Sequence, residues 1–254
     1  MGTVTIMDKT ATTINAGGRW APLSNLALAS RALERGLNRA SNLPGLIVLY
    51  GYSGLGKSHA LSYCANQHEG FYVECQEYFN RKLLATAVLR EMDIKPARTV
   101  GEMMEQIAEQ LELSERPLIL DNADYLAEKK LVDAVLALHE MARATVMLAG
   151  EEQLPRKLQA WERFHRRVLV WQLAQPASGA DAQKLAEFYV PGVTIAEDLL
   201  DRVCHISRHT PGRICVNLDG IRDHCQKNGL KRIDLAAWGK REIYSGAAPV
   251  RRTA

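Results

Sequence analysis

Leu46-Ile47-Val48-Leu49-Tyr50-Gly51-Tyr52-Ser53-Gly54-Leu55-Gly56-Lys57-Ser58 is the stretch on which the reading of this chain turns. Its first five residues are an uninterrupted apolar run of strand length. That is the pattern of a strand covered on both faces in a parallel sheet. The remaining eight satisfy G-x-x-x-x-G-K-[ST] in full, and a helix is expected to follow from Lys57 to about Gln67. Strand, glycine-rich loop and helix in that order make a phosphate cradle. The glycines let backbone N–H groups turn inward, and the helix N-terminus adds partial positive charge. The backbone from Gly51 through Tyr52, Ser53, Gly54, Leu55 and Gly56 to Lys57, Ser58 and His59 is therefore expected to wrap the phosphates of ATP or another nucleoside triphosphate. Lys57 is placed to reach the β- and γ-phosphates, and the Ser58 hydroxyl to ligate Mg²⁺.

Downstream, Leu118-Ile119-Leu120-Asp121 is an apolar strand that ends in an acid. An aspartate closing a strand is common by itself, but beside a phosphate loop it is the expected second anchor of the metal. Asp121 would hold Mg²⁺ through water, opposite Ser58.

Working outward, a helix is expected over about 24–39, and Ser41-Asn42-Leu43-Pro44-Gly45 breaks it ahead of the first strand. Further strands are expected at 71–75, 118–121, 145–149 and 167–171, separated by helices over about 81–92, 100–111 and 128–143. Alternation of this kind gives an α/β fold, a parallel sheet with crossover helices on both faces. Strand signals stop beyond Pro176, and four helical stretches follow. The expected organisation is an N-terminal arm (1–20), a P-loop sheet domain (21–175), an all-helical lid (176–245) and a frayed tail (246–254).

Composition narrows the function classes. Hydrophobic residues make up 47% and charged residues 24%, ordinary for a globular chain. A net charge of +3 is too mild to indicate nucleic-acid binding, so any such contact must come from a local patch. The five cysteines form no CxxC pair, which argues against a zinc site or a disulfide framework and suits a reducing cytoplasm. No apolar run reaches membrane-spanning length. His205 and His209 have the i, i+4 spacing of a metal-binding helix but lack the accompanying acid, and are not read as ligands.

With these residues placed, the chain resembles the AAA+ transposition regulators of the phage Mu B and Tn7-like kind, over roughly residues 20–230. The resemblance rests on GYSGLGKS (51–58), PLILDNAD (117–124), VMLAGEEQLPRKL (146–158) and HTPGRI (209–214). It implies an AAA+ fold with a helical lid and an ATP-dependent homo-oligomer, a ring or a helical filament on duplex DNA without sequence preference. Such an oligomer recruits or activates a transposase, with no membrane involved. It also implies that Arg213 contacts the nucleotide from the lid, and that an arginine ahead of the last strand reaches a neighbouring subunit's γ-phosphate. Arg163, Arg166 and Arg167 are the candidates, with Arg166 the first choice. AAA+ proteins place a glutamate after the strand-ending aspartate to polarise the attacking water. Here the residue is Asn122, so hydrolysis is expected to be slow or partner-dependent. Asp124 either supplies the missing carboxylate or caps the following segment. The same class holds helicase loaders and secretion ATPases of the ExeA type, which stand as alternatives.

Regulators of this kind line a channel with basic residues. Arg81-Lys82 and Lys129-Lys130 are each read as starting a helix, where cations oppose the dipole and a DNA phosphate would compensate. A solvated charged face is the alternative for each pair.

Overall fold

The computed structural model describes residues 20–247. The expected arm and tail lie outside them, apart from Trp20, Gly246 and Ala247. The chain divides into two compact units, Asn25–Gln175 and a second that joins the residues before Asn25 to those from Pro176 onward.

The first unit is built on five parallel strands: β1 (Leu46–Tyr50), β2 (Phe71–Glu74), β3 (Leu118–Asp121), β4 (Val146–Gly150) and β5 (Val168–Leu173), in the order β2-β3-β4-β1-β5. Position in the sheet explains the sequence patterns. The central strands β1, β3 and β4 are buried almost throughout, whereas edge strand β2 alternates and edge strand β5 is half-buried. Leu46, Ile47, Val48 and Leu49 are each 0% exposed. Burial of such side chains contributes about 1.5–3 kcal/mol apiece, which makes β1 a rigid base for whatever follows it.

Six of the helices that cover this sheet are α1 (Ser24–Leu37), α2 (Lys57–Gln67), α3 (Arg81–Glu91), α4 (Val100–Ser114), α5 (Asp124–Glu128) and α6 (Val132–Ala142). Two short ones, α7 (Leu154–Leu158) and α8 (Glu162–His165), connect β4 to β5. The starts of α3 and α4 are written in local chemistry. Asn80 accepts from the Leu83 N–H, and Thr99 with Glu102 forms a complete capping box. Leu84, Val88, Ile107 and Leu111 then pack with the β2 and β3 side chains in one core.

One expectation is corrected here. The helix expected over 128–143 starts only at Val132, as α6, and a separate short helix, α5, ends before it at Glu128, with Lys129-Lys130-Leu131 between them. Lys130 takes a left-handed φ of 56°, and the Leu131 N–H closes α5 on the Leu126 carbonyl. Lys129 is the C-cap of α5, so this pair ends a helix instead of starting one. There the dipole favours cations.

The second unit holds α9 (Gly179–Tyr189), α10 (Glu197–Ile206), α11 (Pro211–Asn228) and α12 (Leu235–Trp238) around Leu185, Leu199, Val203, Leu218 and Ile221. It is not wholly helical. Thr194–Ile195 (β6) and Arg232–Ile233 (β7) pair as a two-stranded parallel ribbon, too short to leave a periodic signal. His209 falls beyond the end of α10, with Nδ1 3.0 Å from the Ala177 carbonyl oxygen, so His205 and His209 do not share a helix face. Among the described residues no helix is long and apolar enough to cross a membrane.

Candidate functional site: the phosphate loop and the end of β3

β1 delivers the chain into the loop at Gly51, and α2 begins at Lys57. The turn into α2 requires Gly56, which takes φ 81° and ψ 24° as its N-cap. An L side chain would cost about 1–2 kcal/mol in that left-handed region. Leu55 is buried and pins the loop, while Ser53, Gly54 and Ser58 are exposed.

A residue the sequence reading did not single out holds the loop from behind. Asn25, on α1 and 6% exposed, donates from Nδ2 to the carbonyls of Leu55 and Gln175, both at 2.8 Å. Its Oδ1 accepts from the Gln175 N–H at 2.9 Å. One buried amide thus ties the loop to the segment leaving β5. The only sequence signal for it is a polar residue beside Leu26 on the apolar face of α1.

Lys57 turns back over the loop, its ammonium donating to the carbonyls of Gly51 (2.8 Å) and Tyr52 (2.9 Å). Burial holds its pKa below the ordinary lysine value, and the carboxylates of Asp121, Glu151, Asp124 and Glu152 oppose that shift. The lysine therefore sits in the field of the β3 and β4 ends. His59 is held near pKa 4 by burial, so it is neutral at physiological pH.

β4 lies between β1 and β3 and ends at Gly150, so it puts no side chain into the gap. A Cβ at Gly150 would stand 2.4 Å from Asp124 Oδ2. Across the gap Asp121 is 3% exposed. Its Oδ2 accepts from the Tyr72 hydroxyl at 2.9 Å and its Oδ1 from the Asn122 N–H at 2.8 Å. Burial and the Asp121 charge raise the Tyr72 pKa, which keeps its hydroxyl a donor. Each Asp121 oxygen keeps acceptor capacity beyond its single bond. With the Ser58 hydroxyl this gives an all-oxygen donor set, the kind Mg²⁺ takes.

Asp124 is neither an N-cap nor an open carboxylate. Ala123 is the N-cap of α5, and Asp124 is buried in the first turn. Its Oδ2 accepts from the Glu151 N–H (2.6 Å) and its Oδ1 from Lys157 Nζ (2.8 Å). Burial opposes the Lys157 charge, but hydrogen bonds to Asp124 and Glu128 outweigh it and raise the lysine pKa.

The other predicted residues lie on other elements. Arg163 and Arg167 pair with Glu140, and Arg166 pairs with Glu162 on its own short helix. All three arginines are exposed. Arg81 and Lys82 open α3 and are exposed. Arg213, at the third position of α11 in the second unit, lies half-buried against Gly246. Lys57, Ser58 and Asp121 thus belong to the sheet unit, and Arg213 to the other.

Residues 40–158 match the family model described as an AAA domain. The fold is that of P-loop AAA-type nucleotide-binding proteins, as three solved structures illustrate. A Walker-type ATPase of Pyrococcus abyssi is 19% identical, with a TM-score of 0.58 over 79% of this chain and 67% of that one. The ORC1 protein of Aeropyrum pernix, solved in complex with DNA, is 17% identical with a TM-score of 0.56 over 82% and 61%. The ORC2 protein of the same organism in its ADP form is 13% identical with a TM-score of 0.61 over 82% and 64%. The likeness to an AAA domain thus rests on residues 40–158, which hold the phosphate loop and Asp121. The chain spans 61% to 67% of the length of those three proteins. No curated protein matches it.

Proposed function

We propose that this AAA-type ATPase is a nucleotide-driven assembly factor: bound to ATP it forms a homo-oligomer on duplex DNA, and there it recruits or activates a transposase. The observation that carries the reading is the pairing of a rigid strand–GYSGLGKS–helix loop with Asp121 two strands away. The transposase is supported by the resemblance of the four motifs. The DNA is supported by the same resemblance and by the likeness of the fold to a protein solved on DNA.

In this reading Lys57 leaves the carbonyls of Gly51 and Tyr52 for the β- and γ-phosphates. The loop N–H groups hold the phosphate oxygens. Ser58 and Asp121 hold Mg²⁺, which when bound offsets charge that develops on the phosphates. Arg213 contacts the nucleotide from its own chain, and Arg166 reaches the neighbouring subunit's γ-phosphate. Arg81 and Lys82 face the DNA backbone, with Lys129 and Lys130 a secondary basic spot. Hydrolysis is slow until DNA or the partner is present, since Asn122 stands where such ATPases place a glutamate. The working compartment is the cytoplasm.

The test uses the full chain with Mg·ATP and duplex DNA of random sequence, viewed by negative-stain electron microscopy. Ordered rings or filaments that require both ligands, and that dissolve steeply with added salt, are expected. Binding of ATP without any DNA-dependent assembly would overturn the DNA and transposase parts. Stoichiometric capture of a hexameric helicase would redirect the reading to helicase loading.

A further inference from the structure

Cleaving a phosphoanhydride with water calls for an acceptor that orients the nucleophile and takes its proton. The amide of Asn122 cannot hold that proton. Of the carboxylates at the end of β3, Asp121 is bound by Tyr72 and reserved for the metal, and Asp124 is tied to Lys157 and the Glu151 N–H.

Glu74 is different. It is the last residue of β2, and the parallel register pairs it with Asp121. Paired residues on neighbouring strands leave the sheet on the same face, so Glu74 and Asp121 project together. Tyr72, two residues earlier, is on that face as well, and its bond to Asp121 shows where the face points. Glu74 is exposed, and its Oε1 accepts from Asn122 Nδ2 at 3.1 Å. Among the described residues no other donor binds its side chain, so its second oxygen can accept from water. Asn122 is itself built for the contact. It takes a left-handed φ of 51°, a conformation asparagine tolerates better than most residues, and from there its amide reaches the neighbouring strand.

We propose that Glu74 is the general base of ATP hydrolysis in this chain and that Asn122 is its positioning residue. The proposal rests on the ATPase reading above. Water attacks the γ-phosphorus, and a P–O bond forms as the bond to the β,γ-bridging oxygen breaks. ADP leaves with that electron pair. The proton of the water passes to the Glu74 carboxylate and from there to solvent. The carboxylate that takes the proton and the amide that orients it are carried on β2 and just after β3.

The experiment compares wild type, Glu74→Gln, Asn122→Ala and the exchange variant Glu74→Asn/Asn122→Glu in the full chain, with DNA present. For Glu74→Gln, kcat is expected to fall about 100-fold or more, the range of a general base. Its affinity for a non-hydrolysable ATP analogue should match that of wild type, and nucleotide extracted after incubation with ATP should be ATP, not ADP. Asn122→Ala should lower kcat with KM unchanged, and the exchange should recover turnover lost in Glu74→Gln. A Glu74→Gln variant with kcat within threefold of wild type overturns the assignment. So does a wild type that binds nucleotide but never hydrolyses it. Absence of nucleotide binding in folded wild type is a different failure, because it removes the ATPase reading itself.

Discussion

On the β1 side of the site the chain offers open backbone and the exposed hydroxyls of Ser53 and Ser58. On the β3 side the carboxylates of Asp121, Asp124 and Glu74 are already hydrogen-bonded to protein groups. The first side is a receptor whose shape is set by glycine conformations. The second is a lattice of side chains that fix one another. A ligand's phosphates belong on the side with donors to spare, and proton-handling chemistry on the side where orientation is already set.

The sharpest way to break that contrast is Lys57→Ala. It removes the cation that leans over the loop, and ATP binding should weaken roughly 10- to 150-fold, the worth of a charge-assisted hydrogen bond. Fold stability should change by about 1 kcal/mol or less, because only the bonds to the Gly51 and Tyr52 carbonyls are lost. Titration calorimetry and thermal unfolding read the two quantities separately. Unchanged affinity would mean that the phosphates bind elsewhere.

Asp124→Ala should show the opposite balance. It leaves the Glu151 N–H without its acceptor and takes one of two carboxylates from Lys157. Lys157 keeps Glu128 and is 32% exposed, so screening limits the loss. A destabilisation of about 2 kcal/mol in urea unfolding is expected, with nucleotide affinity near wild type.

This difference also decided what was legible in the sequence. The loop could be read outright because backbone geometry demands glycine at fixed spacing and the strand before it is buried on both faces. The order of strands and helices was legible for the same reason, with boundaries off by one to three residues at β4, β5 and α4. The β3 side was not legible beyond Asp121. Its partners are Tyr72 and Glu74 from β2, Glu151 from just after β4 and Lys157 from α7, groups brought together by register and not by local spacing. The strand expected over 71–75 ends one residue beyond Glu74, so only the observed register brings Glu74 opposite Asp121. The break at Lys130 escaped notice because it is a lysine in a left-handed turn with no glycine or proline to mark it.

Acid titration gives a third comparison. His59, at the start of α2, has a pKa depressed from 6.5 to about 4 because burial disfavours the imidazolium. Unfolded chains then bind more protons than folded ones below about pH 6.5, so stability falls as pH drops from there toward 4. His139, on α6 and also depressed chiefly by burial, adds to the slope. Unfolding free energy measured against pH should therefore decline over that window, and His59→Gln should flatten the decline without abolishing it. A slope identical in the variant would mean that His59 is solvated in solution.

The smallest effect expected belongs to Gly56→Ala, and it isolates backbone conformation from everything else. No atom lies within 4 Å of the position a Cβ would take at Gly56, so the substitution meets no obstruction. Its φ of 81° remains, and an alanine must hold it at a cost of about 1–2 kcal/mol. Stability should fall by that amount. Nucleotide affinity should fall with it only if the loop relaxes its strain by turning N–H groups away from the cradle. Retained affinity alongside lowered stability would show that β1 and the Asn25 clamp hold the loop in shape even against its own preference. Loss of both together would show that the glycine, and not its surroundings, sets the receptor.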